Sequence, residues 1–111
     1  MGANLPGDVR RPPDPQTDRA RAVLERVRAI PAGHVAAYSD VDPVAPRFVG
    51  TVLSASGDAA IPWHRVVRAD GTLAQGERQA MLLAAEDVPL TGDPRRVDVR
   101  LARWWGDVDP A

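Results

Sequence analysis

The sequence predicts a mainly α-helical domain with a small β-hairpin, laid out as a winged helix-turn-helix. Two observations carry that expectation. Two short helical segments, joined by a proline-marked turn, fall between residues 39 and 57, and the second has two distinct faces. Phe48, Val49, Val52 and Leu53 form its apolar side, while Arg47, Gly50, Thr51 and Ser54 recur at i, i+3, i+4 and i+7 as a small polar side. Downstream, Ala69-Asp70-Gly71 joins Arg65–Arg68 to Thr72–Leu73, with glycine where a hairpin needs a left-handed residue. The polar face fits a surface helix with a small solvent side equally well.

The elements follow in order. Residues 1–14 are rich in Pro, Gly, Asp and Arg without periodicity and read as a disordered lead-in. A helix starts at Asp14-Pro15 or Thr17, its buried stripe marked by Ala20, Val23, Leu24, Val27 and Ile30. Pro31-Ala32-Gly33 ends it, and Val35–Tyr38 is a short extended piece. Ser39 with Asp42 three residues on resembles a capping box, and Pro43 and Pro46 keep that helix short. Pro46 suits the first position of the next helix, and Gly57 its stop. A further helix over Glu77–Glu86 is expected to bury Ala80, Met81, Ala84 and Ala85. The alternation of Val97, Val99 and Leu101 with Asp98 and Arg100 reads as a strand or extended tail, pinned by Trp104-Trp105, before residues 106–111 fray. Residues 15–105 are thus expected to form a single domain.

Composition excludes several chemistries. The 111 residues fit one domain with a modest core. With 0 cysteines there is no disulfide, thiolate metal site or catalytic thiol. Gly-rich phosphate loops and metal-ligand spacings are also absent, so no cofactor is expected. All 14 basic residues are arginine against 15 acidic ones, a net charge of −1. Bulk electrostatics therefore give nucleic-acid binding no support, and any DNA contact must rest on local geometry. Phosphate contacts would fall to the planar guanidinium fork. The longest apolar run, Ala80–Ala85, falls far short of the ~20 residues of a membrane span. No apolar signal core opens the chain, so a cytoplasmic protein without a membrane partner is expected.

One slot resists a purely structural reading. In "IPWHRVVRADG" a bulky indole, Trp63, stands between Pro62 and His64-Arg65, just before the turn. An ordinary strand needs nothing so large there, whereas a ligand pocket does.

Four blocks in order, "IPAGHVAAYSD", "PRFVG", "IPWHRVVRADG" and "LLAAED", resemble the DNA-binding domain of the O6-alkylguanine-DNA alkyltransferases over roughly residues 27–86. The central motif of those enzymes is Pro-Cys-His-Arg-Val; here it is Pro62-Trp63-His64-Arg65-Val66, and tryptophan in that slot marks the alkyltransferase-like proteins. The resemblance implies a monomer that binds O6-alkylguanine in duplex DNA by nucleotide flipping and passes it to nucleotide excision repair proteins, without acting as an enzyme. By position, Tyr38 presses on the phosphate of the flipped nucleotide and Arg47 is the finger that fills the vacated stack. Gly50, Thr51 and Ser54 let their helix approach the minor groove, and Arg68 contacts phosphate. Tyr38, Val52, Trp63 and Val66 line the lesion pocket. His64 and Glu86 match the activating histidine and its carboxylate, which without a thiol become a structural pair braced by Arg65.

The chemistry agrees with that substitution. A thiolate accepts an alkyl group and an indole does not. Extruding a base costs a few kcal/mol, least for one that pairs poorly. A base–aromatic contact returns about 1–3 kcal/mol. Three stretches depart from the family: Tyr38 to Arg47 is short, the Asn that precedes the active-site loop in transferases is replaced around Ser54-Ala55-Ser56, and Ala74-Gln75-Gly76-Glu77 replaces a Tyr- and Gly-rich loop, leaving that side of the pocket open. Three rival readings remain. A winged-helix transcriptional regulator would read bases in the major groove, with Arg47 its only long side chain. A hydrolase built on His64 and Glu86 lacks a nucleophile. A degenerate family member without lesion binding is favoured by the short Tyr38–Arg47 segment and the acidic net charge.

Overall fold

Pro15 opens helix α1 (Pro15–Ala29) in a computed structural model that describes residues 15–104. The expected lead-in at 1–14, Trp105 and the tail at 106–111 lie outside the described residues. Val23 and Val27 on α1, with Ile30 just beyond it, are buried, as the stripe requires. The chain turns back at Gly33 into strand β1 (Ala36–Ala37), which pairs in parallel with β2 (Val66–Val67). Between these strands run α2 (Tyr38–Val41), α3 (Pro46–Ser56) and a single 3-10 turn at Trp63–Arg65. Helix α3 begins at Pro46 and ends at Gly57, whose φ of 64° is the left-handed stop glycine supplies at no steric cost.

The strand pair is short, yet it serves two cores. Side chains alternate along a strand, so Ala36 and Val66 join a first core with Val27, Val49 and Ile61. Val35 and Val67 face a second core with Leu73, Ala80, Leu83, Val88 and Val97. Helix α4 (Gly76–Ala84) covers that second core, followed by strands β3 (Leu90–Thr91) and β4 (Arg96–Val97) and the short helix α5 (Val99–Ala102). Trp104 packs against the first core, and its N–H donates to the Val35 carbonyl at 2.7 Å, so it does fasten the end of the described chain. No helix among the described residues is long and apolar enough to cross a membrane.

Four expectations are corrected. The antiparallel hairpin is β3–β4, not the segment around Ala69-Asp70-Gly71. That segment is a tight turn in which the Asp70 carboxylate accepts from the Thr72 N–H at 3.0 Å and hydroxyl at 2.7 Å, satisfying locally what a ladder would otherwise satisfy. The capping interaction expected of Ser39 and Asp42 lies elsewhere: Asp40 accepts from the Ala37 N–H at 2.9 Å. Helix α4 buries Gln79, Ala80 and Leu83, while Met81, Ala84 and Ala85 are exposed, because its buried stripe is centred one residue earlier than the apolar pattern indicates. The stretch after Val97 is helical rather than extended, since Asp98 caps it by accepting from the Arg100 N–H at 3.2 Å.

Gly71 has the strictest backbone requirement. Its φ is 89°, and a Cβ there would sit 2.2 Å from the Val97 carbonyl oxygen. The Val97 N–H also donates to the Gly71 carbonyl at 2.9 Å, so the turn and β4 are closely joined. Backbone strain of this kind costs on the order of 1–3 kcal/mol, before the contact with Val97 is relieved. Gly71→Ala should lower the unfolding free energy in urea by at least about 2 kcal/mol. A loss under about 0.5 kcal/mol, the size of an ordinary surface change, would show that the turn yields freely.

Candidate nucleic-acid interface

The polar face of α3 is one wall of a cleft of about 820 Å³. Arg47, Gly50, Thr51 and Ser54 line it, with Tyr38 from α2 and Trp63 from the 3-10 turn. Ala74, Gln75, Arg78 and Gln79 border it from the other direction. A neighbouring hollow of about 320 Å³ is shared by Tyr38, Arg47, Gly50 and Arg68. The structure therefore brings together seven residues singled out by sequence: Tyr38, Arg47, Gly50, Thr51, Ser54, Trp63 and Arg68. Val52 and Val66, expected in the pocket wall, are instead placed in the first core, behind it. On α3 the step from Thr51 to Val52 turns the side chain from the cleft to the interior.

Trp63 owes its placement to Pro62. The ring of Pro62 fixes φ at −80°, and with ψ at 64° this is an inverse γ-turn closed by the Trp63 N–H on the Ile61 carbonyl at 2.8 Å. The 3-10 turn follows at once and presents the indole to the cleft. The indole is not bare. The guanidinium carbon of Arg78 lies 5.2 Å from its ring centroid, a cation–π contact worth about 0.5–1 kcal/mol where solvent reaches it. Sequence reading missed Arg78. Its signal was its place in the first turn of α4, two residues past Gly76, obscured by a helix start set at Glu77.

Behind the cleft, four polar side chains hold the motif. Arg65 donates to Glu86 from Nε at 3.0 Å and from Nη2 at 2.7 Å, and its Nη1 reaches the Ile30 carbonyl at 2.9 Å. His64 Nε2 lies 2.9 Å from Glu86 Oε2. The Arg65 guanidinium, aided by His64, draws the Glu86 carboxyl down to about 2. Gln79, fully buried, donates to the His64 carbonyl at 3.0 Å and the Val66 carbonyl at 2.8 Å, and accepts from the Gln75 N–H at 3.2 Å. Thus α4 is tied to the 3-10 turn by hydrogen bonds as well as by packing.

The local charge differs from the net charge. Arg19, Arg28, Arg65, Arg95 and Arg103 each pair with a carboxylate: Asp42, Asp58, Glu86, Glu77 and Asp40 respectively. Arg47, Arg68 and Arg78 make no ion pair among the described residues, and no carboxylate lines the cleft or the adjoining hollow. Many of the described acidic residues are paired elsewhere, and the cleft itself keeps a positive rim. Burial pushes the Tyr38 phenol above its ordinary value against the opposing pull of Arg68, so its hydroxyl stays a neutral donor. Among the described residues no group of three His, Asp or Glu side chains could hold a metal ion.

The family model for the DNA-binding domain of 6-O-methylguanine DNA methyltransferase matches residues 18–88. The chain belongs to this family. A DNA base-flipping protein of Escherichia coli (strain K12) is 39% identical over 94 residues, covering 74% of this chain and 70% of that protein. One from Shigella flexneri gives the same figures. Among solved structures, S. pombe Atl1 in complex with damaged DNA containing O6-carboxymethylguanine matches with a TM-score of 0.69 at 23% identity, over 79% of this chain and 95% of that one. S. pombe ATL in complex with DNA matches with a TM-score of 0.72 at the same identity and coverage. Within the family the chain is alkyltransferase-like, and it contains 0 cysteines.

In this alkyltransferase-like chain the His64–Glu86 pair persists although the chain has no thiol, and Arg65 shares its carboxylate. A carboxyl held below its ordinary value stabilises the fold fully above that value and loses the contribution as pH falls through the folded one. For Glu86 the window runs from 4.5 down to about 2. Stability should therefore fall on acidification across that window. Glu86→Gln should be less stable at neutral pH and show a shallower acid slope, measured by urea unfolding at several pH values. An unchanged slope would mean that Glu86 carries none of the acid sensitivity.

Proposed function

We propose that this protein recognises O6-alkylguanine in duplex DNA by drawing the altered nucleotide out of the stack, and that it leaves the alkyl group in place. The convergence of Tyr38, Arg47 and Trp63 on one cleft carries this reading. Tyr38 offers a neutral hydroxyl to a backbone phosphate, Arg47 is long enough to occupy the vacated stack, and Trp63 offers an aromatic wall to the base. Arg68 and the other unpaired arginines supply the positive rim that phosphates require. The related base-flipping protein and the DNA-bound solved structures support the same reading. Trp63 stands in the slot where the transferases carry their alkyl-accepting cysteine, so no group there can take the alkyl. Passing the lesion to nucleotide excision repair proteins follows from family resemblance.

Two otherwise identical duplexes, one with O6-methylguanine, test the proposal. The alkylated duplex should bind more tightly, because a base that pairs poorly costs less to extrude while the contact of about 1–3 kcal/mol with the indole stays the same. Equal affinity for the two would remove the lesion-recognition reading, and binding to neither would favour a member that has lost DNA binding. Arg47→Ala should weaken binding to the alkylated duplex more than to the plain one. With a labelled O6-methyl group, the label should stay on the DNA; label on the protein would contradict the missing acceptor.

A further inference from the structure

We propose that Arg19 and Asp42, which lie outside the cleft, are positioning residues for Arg47: their paired side chains set the start of α3 and so aim its arginine. The inference rests on the DNA-binding reading above and adds two residues to it. Helix α2 is a single turn of four residues, too short to hold itself in place. The bend that follows it, residues 42–45, leads directly into Pro46 and Arg47.

Asp42 organises that bend. Its N–H donates to the Tyr38 carbonyl at 3.1 Å, closing α2. Its Oδ1 accepts from the N–H groups of Val44 at 3.1 Å and Ala45 at 3.2 Å. Ala45 is the N-cap residue of α3 and has no side-chain oxygen of its own to cap with, so Asp42 restrains that end of the helix. Both carboxylate oxygens are also bound by Arg19, Nε to Oδ2 and Nη2 to Oδ1, each at 2.8 Å. Arg19 is carried by α1, whose Val23 and Val27 share the first core with Val49 of α3. The fork therefore fastens the α2–α3 bend to the helix against which α3 packs. Asp42 is only 8% exposed, and a carboxylate so enclosed is kept only where it is paired. Arg47 is the second residue of α3, so its direction follows from how the helix begins.

A double-mutant cycle on the full chain separates aiming from simple stabilisation. The variants are Arg19→Ala, Arg47→Ala and the two together, binding duplexes with and without O6-methylguanine well below each variant's unfolding temperature. Arg19→Ala should weaken lesion binding by roughly 3- to 30-fold, within the range of couplings in contacting networks, and change plain-duplex affinity less. In the Arg47→Ala background it should have no further effect. Arg19→Lys, which keeps the charge but loses the fork, should fall between parent and Arg19→Ala. Arg28→Ala removes the same charge from the pair with Asp58 and should leave the ratio of lesion to plain binding unchanged. Should Arg19→Ala fail to fold, Asp42→Asn takes its place in the cycle. Effects of Arg19→Ala and Arg47→Ala that multiply to within about twofold overturn the positioning role while the DNA-binding reading stands. A neutral Arg19→Ala does the same. If Arg47→Ala is itself neutral, the role of Arg47 fails, and the positioning of it fails as well.

Discussion

Arg65 and Glu86 form the contact on which the arrangement of the molecule depends. The guanidinium joins three separate pieces of chain: the Ile30 carbonyl just past α1, the 3-10 turn that carries Arg65 itself, and Glu86 just beyond α4. Without it the end of α1 would lose its hydrogen-bonded tie to the turn, and the turn would be held to α4 and Glu86 only through Gln79 and His64. With it the turn that presents Trp63 is fixed relative to both cores. The contact is charged, half-sheltered and fully used, since His64 takes up remaining capacity on the same carboxylate. Removing either partner would leave the other charge enclosed and unpaired, which costs more than the pair itself gains.

A second constraint is how charge is distributed. A net charge of −1 argues against DNA binding only if the charges are evenly spread. They are not. Carboxylates are drawn into pairs on α1, on α2, around the bend before α3 and on α4, while the cleft keeps arginines without carboxylate partners. Glu77, next to Arg78 in sequence, is held by Arg95 from the β3–β4 hairpin. Sequence arithmetic cannot register this, because pairing depends on which helices pack together. One argument for a member without DNA binding therefore weakens once the fold is known.

The legible and illegible parts of the sequence divide along physical lines. Helices α1 and α3 were readable because a 3.6-residue period, a proline start and a glycine stop all agree locally. The motif around Trp63 was readable because it interrupts local logic. The parallel β1–β2 pairing was not foreseen, since each strand is two residues long and carries no pattern of its own. The mistaken strand after Val97 shows alternation losing to a cap: one Asp98 oxygen decides the backbone over four residues. On α4 the buried Gln79 reads as a surface residue until the two carbonyls it serves are seen, and that displaced the face by one position and hid Arg78. Family position places Val52 and Val66 in the cleft, whereas the helix and strand periods send them inward to the first core.

The energetics of the proposed recognition then turn on small differences. Extruding a base costs a few kcal/mol, and contact with an indole returns about 1–3 kcal/mol. Here part of that return is already committed, because Arg78 occupies the Trp63 ring at about 0.5–1 kcal/mol. A normally paired guanine therefore gains nothing decisive from entering the cleft. A guanine whose pairing an O6 substituent has weakened starts from a higher energy, so the same contacts tip the balance. A wall that stacks modestly and is partly covered discriminates better than one that binds every base strongly. Arg47 then matters most, because filling the gap in the stack lowers the cost side of the same balance. Its stack-filling effect reaches the flipped state alone, whereas its charge also serves contact with plain DNA, and so discrimination depends on the direction in which α3 begins.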